Sequence, residues 1–370
     1  MKTSTKIIIS AAAVLVIAVI VVCLFVFGVF EGRSELPQYA PEGTDVIVYV
    51  NGRKIAGTKA FAAFKKTAAY GEMAGAARRK GLDIDKVFQG EACVFFDFGS
   101  VFRHPAKVFP FTVIYRGSQA ETLFELSRKN TGEKVEKAEA AADKAKAEAA
   151  NNGREYVTPT IPKFSADKID GKPAFVMTGD ANVAAILLDK DLVQYSVAGD
   201  KSKLIDTPLK KKKGTRLTKA VDTSALISIA WKVDIPQNAA AGKGKNPSGD
   251  IVTDLEIVSL HVYESGDDLR IKLVGSYRSI EKAKAAQESV IALRKLARER
   301  IGDGDKELAD VLKALEISQS GNKVTISLKY GQDDFVKLIE KMNNAAREAR
   351  QKARERQTRR QEEYRERSDQ

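Results

Sequence analysis

The chain has 370 residues and a formal net charge of +12, with only two cysteines and two histidines. So few metal-binding and thiol side chains exclude a disulfide-stapled scaffold and a structural zinc cluster, and the length is enough for two domains with real cores. The charge is local: residues 201–219 carry eight Lys or Arg against Asp206, and residues 341–370 carry ten against six acids, so the rest of the chain is close to neutral.

Residues 1–6 are basic and read as a cytoplasmic N-terminus. Residues 7–30 follow as an uncharged run of Ile, Leu, Val and Phe, broken only by four Ala, Ser10, Cys23 and Gly28. As a helix this run would be about 36 Å long, which predicts a single transmembrane span. No small-x-small site follows it, and Cys23 comes after Val21 and Val22 with more apolar residues beyond. The run therefore reads as an uncleaved signal-anchor, without a lipoprotein signal. Lys2, Lys6 and the terminal amine flank one end, while Arg33 is offset by Glu31 and Glu35 at the other. The positive-inside rule then predicts a bacterial inner-membrane protein with its body in the periplasm or outside the cell. That placement removes nucleic acid as the expected partner of the basic charge.

Residues 31–43 form a Pro- and Gly-containing linker. DVIVYVN, residues 45–51, is an apolar run expected to form a central strand. Helical segments follow over 54–80, with breaks expected at Gly71 and Gly75, then a turn at GLDIDKV and strands near 92–98 and 107–116. Phe95, Phe109, Phe111 and Tyr115 are expected to share one sheet face, opposite Val94, Phe96 and Ile114. A helix from Gln119 runs into a low-complexity Ala, Glu and Lys stretch whose only large apolar residue is Val135. With no stripe to bury, that insertion, about 130–152, reads as a projecting arm.

Residues 161–197 carry strand signals with turns at Asp170-Gly171 and at 189–191, and a helical, Lys-rich connection leads to a strand at 225–233. After a loop at 236–249, DLEIVSLHVYE and DLRIKLVGSYR form a hairpin about Ser265-Gly266-Asp267. The segment 279–301 places Ala283, Ala286, Val290, Leu293, Ala297 and Ile301 on one helical face. A second helix at 305–315 precedes a hairpin whose Val324, Ile326, Leu328 and Tyr330 alternate with polar residues. The tail, 341–370, reads as a charged helix.

The expected class is therefore α+β: a transmembrane helix, then two mostly antiparallel sheet-plus-helix domains, 44–222 and 223–340. Each half has a strand pair, a helix and a hairpin, which predicts an internal duplication that matches the 163–178 hairpin to the one at 316–330. The pattern Pro41, Thr44, Asp45, apolar strand, Asn51 resembles uncharacterised membrane-anchored or lipid-anchored bacterial envelope proteins. LVQYSVAGDKSKLID, leading to KKGTRLTKAVDTSALISIAWKVD, is similar to the linker between their repeats. The resemblance implies a duplicated extracytoplasmic body and supplies no activity.

No motif names a reaction. His104 and His261 are each expected to be structural. The spacings Ser165-x-x-Lys168 and Ser279-x-x-Lys282 lack the companion motifs of serine-lysine enzymes. Asp83-x-Asp85 and Asp303-x-Asp305 read as helix-start turns, and no cofactor is expected. The sharpest surface feature is Lys210, Lys211, Lys212 and Lys213 with Arg216, a cluster that needs either a solvated loop or an anionic partner such as lipid headgroups or a wall polymer. The expectation is a non-enzymatic protein that binds an envelope component. The alternative is a scaffold subunit of a secretion or pilus-like machine, acting on another envelope protein through the helical arms.

Overall fold

The apolar run after the linker becomes β1 (Val46–Asn51), all six residues of which are buried. The computed structural model describes residues 34–97, 110–152, 161–179, 181–233, 251, 254–301 and 306–334. The predicted span at 7–30, His104, Phe109, the 236–249 loop, the Asp303 to Asp305 turn and the 341–370 tail lie outside them. Among the described residues no helix is long and apolar enough to cross a membrane.

Eleven further strands join β1 in one sheet. They are β2 (Glu91–Phe96), β3 (Phe111–Arg116), β4 (Lys163–Ile169), β5 (Lys172–Thr178), β6 (Asn182–Asp189) and β7 (Leu192–Ala198), then β8 (Ile227–Lys232), β9 (Leu255–Ser265), β10 (Asp268–Tyr277), β11 (Glu316–Ser320) and β12 (Lys323–Gly331). The order is β11-β12-β10-β9-β8-β1-β2-β3-β7-β6-β5-β4, and the pairings are antiparallel. β1 pairs with β8, Ile47 opposite Ala230, so the sheet runs unbroken across the expected boundary at 222/223. Outward from that seam each half has three antiparallel strands, then helix, then strands the last of which returns to the third, β7 to β3 and β12 to β10, with β4–β5 extra in the first half. By place in the sheet the counterpart of β11–β12 is thus β6–β7, not the 163–178 hairpin.

Alternation assigns the two faces. Val46, Val48 and Val50 enter a core under helices α1 (Gly52–Ala56), α2 (Lys59–Lys65), α3 (Ala68–Arg79) and α4 (Ile84–Val87), where Phe61 meets Phe88 edge-on at 4.9 Å. Ile47 and Tyr49 face the other way, into a core closed by the short helical turn Leu36–Tyr39 and the segment that returns to β8. Gly71 and Gly75 do not break the helices and lie within α3. The breaks come at Thr58 and Thr67, whose hydroxyls accept from the backbone N–H groups of Phe61 at 3.1 Å and Tyr70 at 3.2 Å and so start new helices. Asp83 caps α4 in the same manner.

The aromatic face expected around Phe95 divides. Phe95 pairs with Thr112 and joins the core of Ile47 and Ile114, whereas Phe96 pairs with Phe111 on the opposite face. The expected parity shifts because β3 begins at Phe111 and takes its register from β2. Helix α5 (Ala120–Asn151) runs without interruption through the low-complexity stretch, a rod of about 48 Å. Its Phe124 packs on Phe175, and Val135 and Ala142, seven residues apart, are also buried, so the arm carries a narrow stripe after all.

The connection from β7 to β8 is mostly extended where helix was expected, with one turn at Lys201–Lys203 and the short α6 (Arg216–Ala220). Pro208 and Gly214 interrupt it. In the second half, α7 (Ile280–Ile301) buries Ala283 and Ala286 against Tyr277 and Val324, with α8 (Lys306–Ala314) beside it. Farther along α7 the stripe opens, and Leu293 is 37% exposed.

Candidate basic cleft

The residues of the linker pattern meet at the Val46 end of β1. The Thr44 hydroxyl donates to the Pro41 carbonyl at 2.8 Å, the Asp45 N–H donates to the Phe96 carbonyl and the Asp45 carbonyl accepts from the Lys232 N–H, each at 2.8 Å, and Asn51 caps α1 at the far end. Across from Pro41 to Thr44 lies the Lys-rich segment, fixed where Lys212 N–H donates to the Gln38 carbonyl at 2.9 Å. Between these two walls is a cleft of about 540 Å³. Its floor is Ile47, Leu217 and Ile257, and the ends of β8 and β9 with Arg278 close it.

Five cations line the cleft, Lys212, Lys213, Arg216, Lys232 and Arg278, against Glu42 and Glu256, so its charge is net positive. The flanks differ. Arg216 meets Glu256 at 3.1 Å, Arg278 reaches Glu256 at 3.9 Å and Asp254 at 3.8 Å, and Lys282 lies 3.2 Å from Asp254. That side is a chain of paired charges, three cations on two carboxylates. On the other, Lys212, Lys213 and Lys232 make no ion pair among the described residues, and their charge is available.

The structure thus brings together Lys212, Lys213 and Arg216 of the predicted cluster and diverts the rest. Lys210 is exposed outside the cleft, and Lys211 pairs with Glu35, which holds that carboxyl below its usual range. Lys232 and Arg278 escaped sequence reasoning, since they arrive from strand ends far along the chain. A Lys that closes an apolar strand, as in ISIAWK, is the only local signal.

At the opposite end of β1 sits a second polar cluster. Glu91, 2% exposed, accepts from Ser34 and from the Tyr49 hydroxyl, and the Arg116 guanidinium is 4.0 Å away. Burial pushes the Glu91 carboxyl up, against the lowering effect of Ser34, Arg116 and Tyr49.

His261 lies on the same side of its strand as Ser259 and Tyr263. Its Nδ1 is 2.9 Å from Ser228 Oγ and its Nε2 is 3.0 Å from Ser259 Oγ. The Asp222 carboxylate accepts from Ser224 and Tyr263 rather than from the imidazole, and the Asp222 backbone N–H donates to Ser228 Oγ. Ser228 is fully buried, so this Ser-His pair presents no nucleophile to a substrate. Ser279 accepts from Lys282 N–H as a helix cap, which accounts for its serine-lysine spacing.

No family model matches the chain, and no curated protein does. Three crystal forms of TP0453 are similar in structure. Form IV is 8% identical at a TM-score of 0.37, covering 83% of this chain and 97% of its own. Form I is 11% identical at 0.36, with 83% and 97% covered, and form III is 11% identical at 0.38, with 84% and 98%. The likeness is too distant to assign a function.

Proposed function

We propose that the chain is a membrane-anchored extracytoplasmic protein that holds an anionic group of another envelope component in the basic cleft, without catalysis. The observation that carries this reading is the convergence of Lys212, Lys213 and Lys232, none of them ion-paired among the described residues, on one concavity. Its volume of about 540 Å³ falls within the range of about 300 to 1,000 Å³ typical of sites for a discrete ligand group. The repeated strand order outward from β1 and β8 supports a duplicated body.

The placement of the cleft favours a group presented away from the anchoring bilayer. From residue 30, where the predicted span ends, the chain to Ser34 reaches at most roughly 14 Å. Ser34 is bonded to Glu91 at the Asn51 end of β1, while the cleft lies at the Val46 end, about 17 Å along the strand. Ser34, the first described residue, and the cleft lie at opposite ends of β1.

The test is co-sedimentation of the full chain, in phosphatidylcholine nanodiscs, with isolated phosphate-bearing wall polymer. Salt-sensitive binding that falls at least tenfold when Lys212, Lys213 and Lys232 are changed to Ser supports the reading. Binding indifferent to those changes, or confined to anionic vesicles, overturns it. A scaffold role is the second reading, favoured by the uninterrupted α5 and by the open groove of about 900 Å³ between it and β4. Loss of a crosslinked protein partner after deletion of residues 132–150 would establish that role.

A further inference from the structure

We propose that the ligand of the basic cleft is an amphipathic anion, with its phosphate or carboxylate on the lysine flank and its apolar part on the floor. This deepens the binding reading above and rests on it. Two properties of the cleft carry it beyond a general attraction for negative charge.

The first is the joint presence of unpaired charge and partly exposed apolar surface. Three cations that make no ion pair among the described residues converge there, Lys212 and Lys213 from the segment after Leu209 and Lys232 from the end of β8. Arg216, Arg278 and Lys282 are instead engaged by Glu256 and Asp254. Between the walls the lining is aliphatic: Ile47, Leu217 and Ile257 at the bottom, with Pro41, Val233 and Leu255 at the sides. Ile47, Leu217 and Ile257 are already buried, whereas Pro41, Val233 and Leu255 keep apolar surface that an anion without an apolar part would leave in water.

The second is shape. An anion held by exposed lysines alone needs no concavity, since charge acts at the surface. This cleft is recessed between the linker at 38–44 and the segment 212–218, and Pro41, Val233 and Leu255 are only half-buried. A short alkyl chain there would remove apolar surface on both partners from water. The hydroxyls of Thr215 and Thr218 already serve each other and the local backbone, leaving the lysines to select the head.

The test titrates the full chain, in phosphatidylcholine nanodiscs, with inorganic phosphate, butyl phosphate and hexyl phosphate by calorimetry, with empty nanodiscs subtracted. Each methylene buried on the floor is expected to tighten binding about fourfold. Leu255→Ser and Val233→Ser should flatten that dependence while phosphate itself binds as before. Lys212→Ser with Lys213→Ser should weaken all three probes by a similar factor. Equal affinity for the three phosphates, with the lysine variants still weakened, overturns the amphipathic ligand and leaves the anion site standing. Binding of none of them, or binding indifferent to the lysine changes, overturns both. Leu255 and Val233 are half-buried at strand ends, and circular dichroism of each variant separates lost binding from lost fold.

Discussion

The side chain of Gln194 holds the backbone of Leu209: its Oε1 accepts from Leu209 N–H at 2.9 Å. Its Nε2 donates to the carbonyls of Thr207 at 3.0 Å and Ile205 at 3.3 Å, and the residue is fully buried. One amide on β7 thus replaces the sheet or helix partners that this extended segment lacks, and the lysine run begins at the next residue. A group of four like charges is held in a defined path by a neutral side chain behind it.

Gln194→Leu removes the side-chain partner of three part-buried backbone groups and is expected to cost about 2 kcal/mol in urea denaturation. Gln194→Glu keeps the acceptor for Leu209 but turns an oxygen toward two carbonyls, and should destabilise as much. Near-native stability in both variants would show that the segment is held by Leu204 and Leu209 packing instead.

Glycine positions give a paired prediction. A Cβ on Gly117 would stand 2.8 Å from the Gly90 Cα and 2.3 Å from the buried Tyr115 hydroxyl, so Gly117→Ala should cost about 3 kcal/mol. Nothing lies within 4 Å of a Cβ on Gly71, which is inside α3, so Gly71→Ala should stabilise by about 1 kcal/mol. Thermal melts of the two single variants check the opposite signs.

How much of this was legible follows from the range of the interactions. Hairpins with period-two alternation, such as β9–β10 and β11–β12, could be read locally because partners lie a few residues apart. The β1–β8 seam could not, since Ile47 meets Ala230 across about half of the chain and no local pattern encodes that pairing. Gly71 and Gly75 misled because intrinsic propensity is weaker than a cap: the Thr58 and Thr67 signals were present and decided the breaks. The cleft was half legible. Lys212, Lys213 and Arg216 announced themselves as a run, whereas Lys232 and Arg278 join it only once the sheet is assembled.

The imidazole of His261 gives a pH prediction. Burial lowers its pKa below the usual value near 6.5, Lys272 and Lys323 add to that, and Asp222 opposes it; Ser228, Ser259 and Tyr263 complete the surroundings. The folded protein therefore favours neutral His261. Its contribution is complete above about pH 6.5 and is lost as pH falls from there through the depressed folded value. Asp222, held below its ordinary value by Ser224 and Tyr263 despite burial, titrates in a lower window and leaves this one clean. Urea midpoints should fall on acidification below about pH 6.5 in the parent and stay level over the same range in His261→Gln. A parent curve that is already flat there would sink the assignment.

Gln332 joins the two halves at a place where an ion pair also spans them, and burial decides which matters. Its Oε1 accepts from the N–H of Lys59, the first residue of α2, at 3.0 Å. Its Nε2 donates to the Gly266 carbonyl at 3.0 Å and to Glu264 at 3.2 Å, and its own N–H donates to Asp267. Gln332 is 1% exposed, so removing its amide strands an N–H that no helical carbonyl can take. The Lys59–Asp267 salt bridge is short, 2.6 Å, yet both side chains are more than half exposed, so solvent screens it. Gln332→Ala should therefore cost about 2 kcal/mol in urea denaturation, while Asp267→Asn should leave the midpoint unchanged. The reverse ranking would mean that charge, not the buried amide, fastens the second half of the sheet to the helices of the first.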